Sequence, residues 1–363
     1  MKACDRCLRR TRLIAELAGH LDHLHAERGL LDEVFALRES ELIDGLVPEG
    51  PARAAMRRRC ETVDLAAERN AVAAAGLQAL CRHDAAYPAA LCDLAGPPAV
   101  LFGHGMERLG ARLETPAAAI VGARRASAYG VEMARSLARG LSAAGVTVVS
   151  GMAMGVDSAA HEGALDAGGR TVAVLGGGPD VPYPATKRAL HGRLIEEATV
   201  VSELPPGFRP RRWTFPARNR IIAALAHLTV VVEAGPASGA LITARIARDA
   251  GRDVGAVPGQ VTSPLAGGPN ALLRDGAHLV DGPQAVLDLL FGVGAHRPAP
   301  TPGPALPADL ARVLEAVREG RDTVAALTAD PGARPPEVMA TLAELELRGL
   351  VRRAPGGAWV AVA

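Results

Sequence analysis

Residues 208–222, FRPRRWTFPARNRII, place five arginines and three aromatics in fifteen positions without one acidic residue, in a chain that has ten aromatics altogether. Guanidinium groups bind phosphate through forked, charge-assisted hydrogen bonds, and aromatic faces stack on bases at about 1–3 kcal/mol per base whatever the sequence. From Lys187 to Arg220 there are eight Lys or Arg against Glu196, Glu197 and Glu203, a local excess of +5 where the whole chain has a formal net charge of +1. The chemistry on offer is the gripping of a polyanion. Arg218 and Arg220 argue for it most strongly. The run PARNR is read as opening an apolar helix, IIAALA, whose N-terminus already repels cations, so arginines there gain most from an anion held between them. Arg209, Arg211 and Arg212 fit a solvated basic face equally well. Among the aromatics, Phe215 is expected in the core under a sheet. The combination suits single-stranded nucleic acid better than a mononucleotide.

Such groups need a frame, and the segments around them supply one. Short apolar runs ending in Gly or Ser alternate with helical stretches: AAAIVG, VTVVSG, TVAVLGGG, ATVVSE, HLTVVVEAG and DVGAVPG. Strand, glycine turn, helix, strand is the pattern of a parallel sheet covered on both faces, a Rossmann-like α/β domain. Ligands of such sheets sit beyond the carboxyl ends of the strands. Those ends are Gly122 to Arg125, Ser150 to Gly155, Gly176 to Gly178, and Glu233 to Gly239, each feeding a helix or turn whose N–H groups can converge on an anion. Arg124 and Arg125 stand where a dinucleotide-binding protein would carry its glycine fingerprint. Bulky cations there crowd a pyrophosphate lying flat on the turn, which argues against a nicotinamide cofactor.

A length of 363 residues predicts two or three domains. We read a small helical domain over 1–82, the Rossmann-like domain over 84–292, a stiff Pro-rich linker over 293–307 and a winged helix over 308–363. The last consists of three helical stretches and a hairpin turning at Pro355, Gly356 and Gly357. From 303 to 363 there are seven arginines and eight acids. Duplex-binding wings carry basic excess because phosphate contact dominates affinity, so this one is expected to contact protein, or duplex weakly. Five scattered cysteines fit a reducing cytosol, and the charged first dozen residues contain no secretory apolar stretch. The longest charge-free run, 254–273, is broken by three prolines and four glycines, which excludes a membrane helix. A cytoplasmic protein is expected.

Two further motifs bear on chemistry. Cys4 and Cys7, followed by His20 and His25, satisfy a zinc-finger spacing, but the intervening residues read as continuous helix, so the expectation is no metal. Asp157 is expected to cap a helix, with His161 one turn later pairing with it or packing beneath the glycine loop. A general base would need a positioned nucleophile, and none is evident, so no catalytic residue is assigned.

The runs IVGARRASAYG, VVSGMAMGVDSAAHEGAL, TVAVLGGGPDVPYP, SELPPG, FPARNRII, VVEAGPASGALITARIA, GRDVGAVPGQ and GGPNALLRDGA closely resemble the DprA/Smf family of DNA-processing proteins, over roughly residues 84–290. The C-terminal segment resembles the winged helix that some members carry. The resemblance implies a non-enzymatic, cofactor-free protein. It would bind and protect single-stranded DNA and hand it to the recombinase RecA in natural transformation, acting as a homodimer. Carried over position by position, the pocket falls on Gly122, Arg124, Arg125, Ser150, Gly151, Gly155, Lys187, Arg218, Asn219 and Arg220, closed by Ser238, Gly239 and Thr243. Many relatives have Thr or Ser at the position of Ala123 and Asn at that of Lys187, so here a hydroxyl is lost and a charge gained. About four neutralised phosphates would give a slope near −3 in log K against log salt. Arg124→Glu or Arg218→Glu is expected to remove binding and leave the fold intact. The competing reading is a nucleotide phosphoribohydrolase of the lysine-decarboxylase-like group, whose loop carries a glutamate downstream of its glycines; EAGPASGALITA lacks it.

Overall fold

The alternation of the third strand explains the two-layer cover of the sheet. In the computed structural model, which describes residues 3–29, 32–296, 306–329, 334–354 and 357–361, β3 spans Ala117–Val121. It is preceded by β1 (Gln78–Cys81) and β2 (Val100–His104) and followed by β4 (Thr147–Ser150), β5 (Thr171–Val174) and β6 (Thr199–Ser202). The last three strands of the sheet are β7 (Leu228–Val231), β8 (Asp253–Ala256) and β9 (His278–Leu279). Successive side chains of a strand point to opposite faces. Ala118 and Ile120 accordingly join one apolar cluster, and Ala117, Ala119 and Val121 another. Small side chains on this central strand let helices approach from both sides.

The sheet runs β1-β2-β6-β5-β4-β3-β7-β8-β9. Every pair from β6 to β9 is parallel, whereas β2 lies antiparallel to β6, and β1 antiparallel to β2. The six expected strands are β3 to β8. The antiparallel edge pair and short β9 were missed: β1 and β2 are joined directly as an antiparallel pair, outside the repeating strand, glycine turn and helix unit, and β9 is only two residues long. Chain order moves outward from β3 through β4, β5 and β6, then returns to β3's other side for β7. That reversal leaves a crevice beyond the carboxyl ends of β3 and β7.

Six helices precede the sheet: α1 (Asp5–Glu16), α2 (Ala18–Arg28), α3 (Asp32–Ala36), α4 (Glu39–Leu46), α5 (Pro51–Glu61) and α6 (Leu65–Ala74). The rest of this unit comprises α7 (Leu109–Leu113), α8 (Ala128–Ala143), α9 (Val156–Leu165), α10 (Arg188–Glu197), α11 (Thr214–Leu225), α12 (Gly239–Asp249), α13 (Gly267–Arg274) and α14 (Pro283–Phe291). Helices α8, α9 and α14 pack on the face of Ile120, and α11 with α12 on the face of Ala119. The N-terminal helices build their core around a residue of the opening motif: Leu13, Leu17, Leu21, Phe35 and Leu42 cluster with Trp213, which is completely buried. Residues 1–299 form one compact unit.

The second unit, 300–363, has α15 (Ala308–Arg318), α16 (Val324–Leu327), α17 (Pro335–Leu347) and an antiparallel pair, β10 (Val351–Arg353) and β11 (Trp359–Ala361). Its core joins Leu310, Leu314, Leu342, Leu345 and Trp359. Three helices and a two-stranded wing match the expectation, while Pro355 and Gly356 of the turn and 297–305 of the linker lie outside the described residues. No helix among the described residues is long and apolar enough to cross a membrane.

Candidate nucleic-acid interface

Beyond β3 and β7 lies a crevice of about 660 Å³. Gly122 and Arg124 enter it from the loop after β3, Ala153 from the loop after β4, Asp157 from the first turn of α9, and Arg218 and Asn219 from α11. The start of α12, Ser238 to Thr243, closes the far wall. A helix N-terminus presents unpaired N–H groups and the positive end of its dipole. Ser238 caps α12 by accepting from the Ala240 N–H at 3.3 Å, and Asn219 fixes that turn by donating to the Gly239 carbonyl at 3.2 Å. Thr243, one turn on, contacts the same carbonyl at 3.5 Å.

Arg218 is the innermost cation. It is 5% exposed, donates from Nη1 to the Val174 carbonyl at 2.7 Å, and borders both the crevice and an adjoining apolar depression. Its Nε has no acceptor among the described residues. Burial, and the nearby Arg124, pull its pKa down to about 10, against the opposing pull of Asp157. It therefore stays charged at neutral pH. Asp157 is itself pushed up by burial, moderated by Arg218 and by N–H groups of its own loop. Gly151 makes room for this guanidinium: a Cβ there would stand 1.5 Å from Nη1. Gly155, at φ +74°, turns the chain into α9 in a conformation that favours glycine.

Around the charges lie aromatic surfaces. Arg124, which is exposed, places its guanidinium carbon 4.9 Å from the centroid of the Phe215 ring, and Phe215 in turn lies 5.4 Å from the ring of Tyr183. Both rings border the crevice and the adjoining depression, whose floor is Gly176 and Gly177. Phe215 is half-buried at this rim, contrary to the expectation that it fills the core. Tyr183 and His25 also border the crevice and were not anticipated, and Arg212, for which a solvated basic face was an equally good reading, borders it too. For Tyr183 the VPYP context beside a glycine strand end was the available signal. For His25, brought in by a helix far away in sequence, there was none.

Several expected contacts lie elsewhere. Arg220 is buried and ion-paired with buried Glu203, its guanidinium carbon 4.8 Å from the Phe35 ring centroid, so it ties α11 to the N-terminal helices. The reason is that α11 begins at Thr214, not at Arg218. Pro216 is tolerated in its first turn, where N–H groups have no partner within the helix, and the two arginines fall in the body of the helix on different sides. Lys187 is paired with Glu162 at 3.2 Å, which also accepts from Arg135, and it borders neither depression. Ser150 is buried and donates to the Ile120 carbonyl at 2.7 Å, a bond across the sheet. Arg125 is exposed on the same loop as Arg124 without bordering the crevice. Trp213 is core. Gly155 occupies the cap position expected for Asp157, which lies inside the first turn of α9. His161 is buried as expected, its Nδ1 2.8 Å from the Thr171 hydroxyl.

Arg220→Ala takes a guanidinium from a buried carboxylate and from Phe35. We expect a loss of about 3 kcal/mol in unfolding free energy by denaturant titration.

One further carboxylate shapes the site. Glu233, at the end of the β7 segment, receives the Ser127 N–H at 2.8 Å and the Ser127 hydroxyl at 2.6 Å. It thus occupies the N-terminus of α8, the place where a Rossmann dinucleotide would set its pyrophosphate. The positive groups that border the crevice stand instead at Arg218 and the start of α12.

An α/β domain with a basic, aromatic-rimmed crevice at its switch point is the class defined by this geometry. The comparisons specify it further. Residues 78–291 match the family model of DNA recombination-mediator protein A, and residues 297–357 that of the DprA winged helix domain. The chain belongs to the DNA recombination-mediator protein A family. It is 45% identical over 258 residues to a putative DNA processing protein DprA of Mycobacterium tuberculosis, covering 70% of this chain and 66% of that protein. The chain thus spans slightly less than two thirds of that relative's length. Protein Smf of Escherichia coli K12 is 37% identical over 286 residues, covering 75% of this chain and 74% of the relative. Among solved structures, DNA processing protein A of Streptococcus pneumoniae superposes with a TM-score of 0.64 at 32% identity, covering 80% of this chain and 99% of that one. DNA processing protein A of Helicobacter pylori, solved for its single-stranded DNA binding mode, gives a TM-score of 0.52 at 30% identity, covering 59% and 95%. Membership of a mediator family displaces the phosphoribohydrolase reading.

Proposed function

We propose that this protein binds single-stranded DNA in the crevice beyond β3 and β7, protects the strand, and delivers it to RecA during natural transformation, working in the cytoplasm as a homodimer. The observation that carries the binding is the convergence of Arg124, Arg218, Arg212 and the N-terminus of α12 on one concavity, beside the exposed ring of Tyr183 and the half-buried ring of Phe215. Phosphates would take the guanidinium groups and the helix N–H groups, and bases would lean on the rings. The Helicobacter pylori relative, whose structure concerns single-stranded DNA, supports the same ligand here.

With Lys187 held by Glu162 away from the crevice and Arg220 paired with Glu203, Arg124, Arg212 and Arg218 are the arginines that border it. Three phosphates predict a slope of about −2 for log K against log salt, in place of the steeper value expected from the sequence. Fluorescence anisotropy of a labelled oligothymidylate across a salt series gives that slope, and a flat line would count against the site. A gel-shift comparison of single- and double-stranded DNA, with and without RecA, tests preference and delivery together. The winged helix, with seven arginines against eight acids from 303 to 363, suits protein contact or weak duplex contact. Arg348 is paired with Glu344 at 2.5 Å, and Arg353 lies over Trp359, 5.7 Å from the ring centroid.

A further inference from the structure

At the opposite edge of the sheet from the crevice's central strands, two short segments bring four metal-ligating side chains together. Cys4 precedes the first residue of α1 and Cys7 lies one turn later, so both sulfurs sit at the same helix start. Cys81 ends β1, and His83 lies in the turn that follows. One ligand atom from each lies within 4.8 Å of all the others. Cys4 Sγ is 3.5 Å and Cys7 Sγ 3.4 Å from His83 Nδ1, and the Cys4 N–H donates to Cys81 Sγ at 3.5 Å. Tetrahedral zinc with its usual bonds to thiolate and imidazole sets sulfur to nitrogen at about 3.5 Å and sulfur to sulfur at about 3.8 Å. The fit is close.

A network of plain hydrogen bonds explains the cluster poorly. An imidazole nitrogen has either one hydrogen or one lone pair, so Nδ1 can serve only one of the two thiols that converge on it. A single cation at the centre serves all four groups. We propose that Cys4, Cys7, Cys81 and His83 form a structural zinc site. Binding would release the three thiol protons and leave three thiolates and a neutral imidazole around Zn²⁺, a closed set without an open position for catalysis. Cys7 and Cys81 are buried beside Leu8, Val72 and Phe102, while Cys4 is half-buried and His83 exposed, which gives the ion a way in. The zinc-finger spacing of Cys4 and Cys7 with His20 and His25, which was not expected to hold a metal, is not used: α2 carries both histidines away, and His25 borders the crevice. The site would staple the first helix to the first strand across 77 residues of sequence.

Elemental analysis of the full chain, expressed untagged in zinc-containing medium, should find one zinc per chain. Cys81→Ser and His83→Ala should each lose it, and Cys60→Ser and Cys92→Ser should keep it. His83 is exposed, so His83→Ala should still fold and bind DNA, and His83→Cys should restore the metal with a four-thiolate spectrum after cobalt substitution. Chelation should lower the melting temperature by about 5–10 °C. The proposal is overturned if the wild-type chain holds no zinc and its melting does not respond to zinc or chelator. It is equally overturned if zinc persists in both Cys81→Ser and His83→Ala.

Discussion

Arg124→Glu is expected to weaken single-stranded DNA binding about 100-fold, near 2.7 kcal/mol, while the melting temperature stays within a degree or two of the wild type. The side chain is exposed and makes no ion pair among the described residues; its contact is the face of Phe215. Reversing its charge removes a phosphate partner and adds a repulsive one at the mouth of the crevice, yet disturbs no buried group. Anisotropy and circular dichroism on the same sample separate the two effects. Wild-type affinity in a folded Arg124→Glu protein would remove the crevice from the account.

Arg218→Glu should fail differently. The sequence suggested that this substitution would spare the fold, but Arg218 is buried between the Val174 carbonyl and Asp157. A glutamate there adds a second carboxyl to a desolvated space that already holds Asp157 and discards the only cation inside it among the described residues. We expect a loss of at least about 4 kcal/mol of stability, a large part of the 5–15 kcal/mol typical of a folded domain. Arg218→Lys keeps the charge without the fork. It should fold and bind roughly tenfold more weakly. A thermal melt of Arg218→Glu indistinguishable from wild type would show that the buried placement is wrong.

These two arginines illustrate what a sequence discloses. Short apolar runs closed by glycine or serine announced β3 to β8, and strand ends then located Gly122, Arg124 and the Ser238 turn, because in a parallel sheet position along the chain fixes position at the rim. Within α11 the argument failed. Arg218 and Arg220 are two residues apart, which on a helix is about 200°, so one faces the crevice and the other the N-terminal helices. Choosing between them required the true start of the helix, concealed by Pro216. Partners distant in sequence were also invisible: nothing near Lys187 announced Glu162, nothing near Ser127 announced Glu233, and Cys81 with His83 lies far from Cys4. The opening motif proved to be two surfaces interleaved. Trp213 and Arg220 anchor the N-terminal helices, while Arg212, Phe215 and Arg218 face the crevice.

The central claim is that the DNA strand lies beyond the carboxyl ends of β3 and β7. Ultraviolet crosslinking of an oligothymidylate to the full chain, followed by peptide mass spectrometry, addresses it directly. Adducts should fall on Tyr183 or Phe215 and on the loops at 122–124 and 237–243. Adducts confined to the first six helices or to residues 308–361 would contradict it.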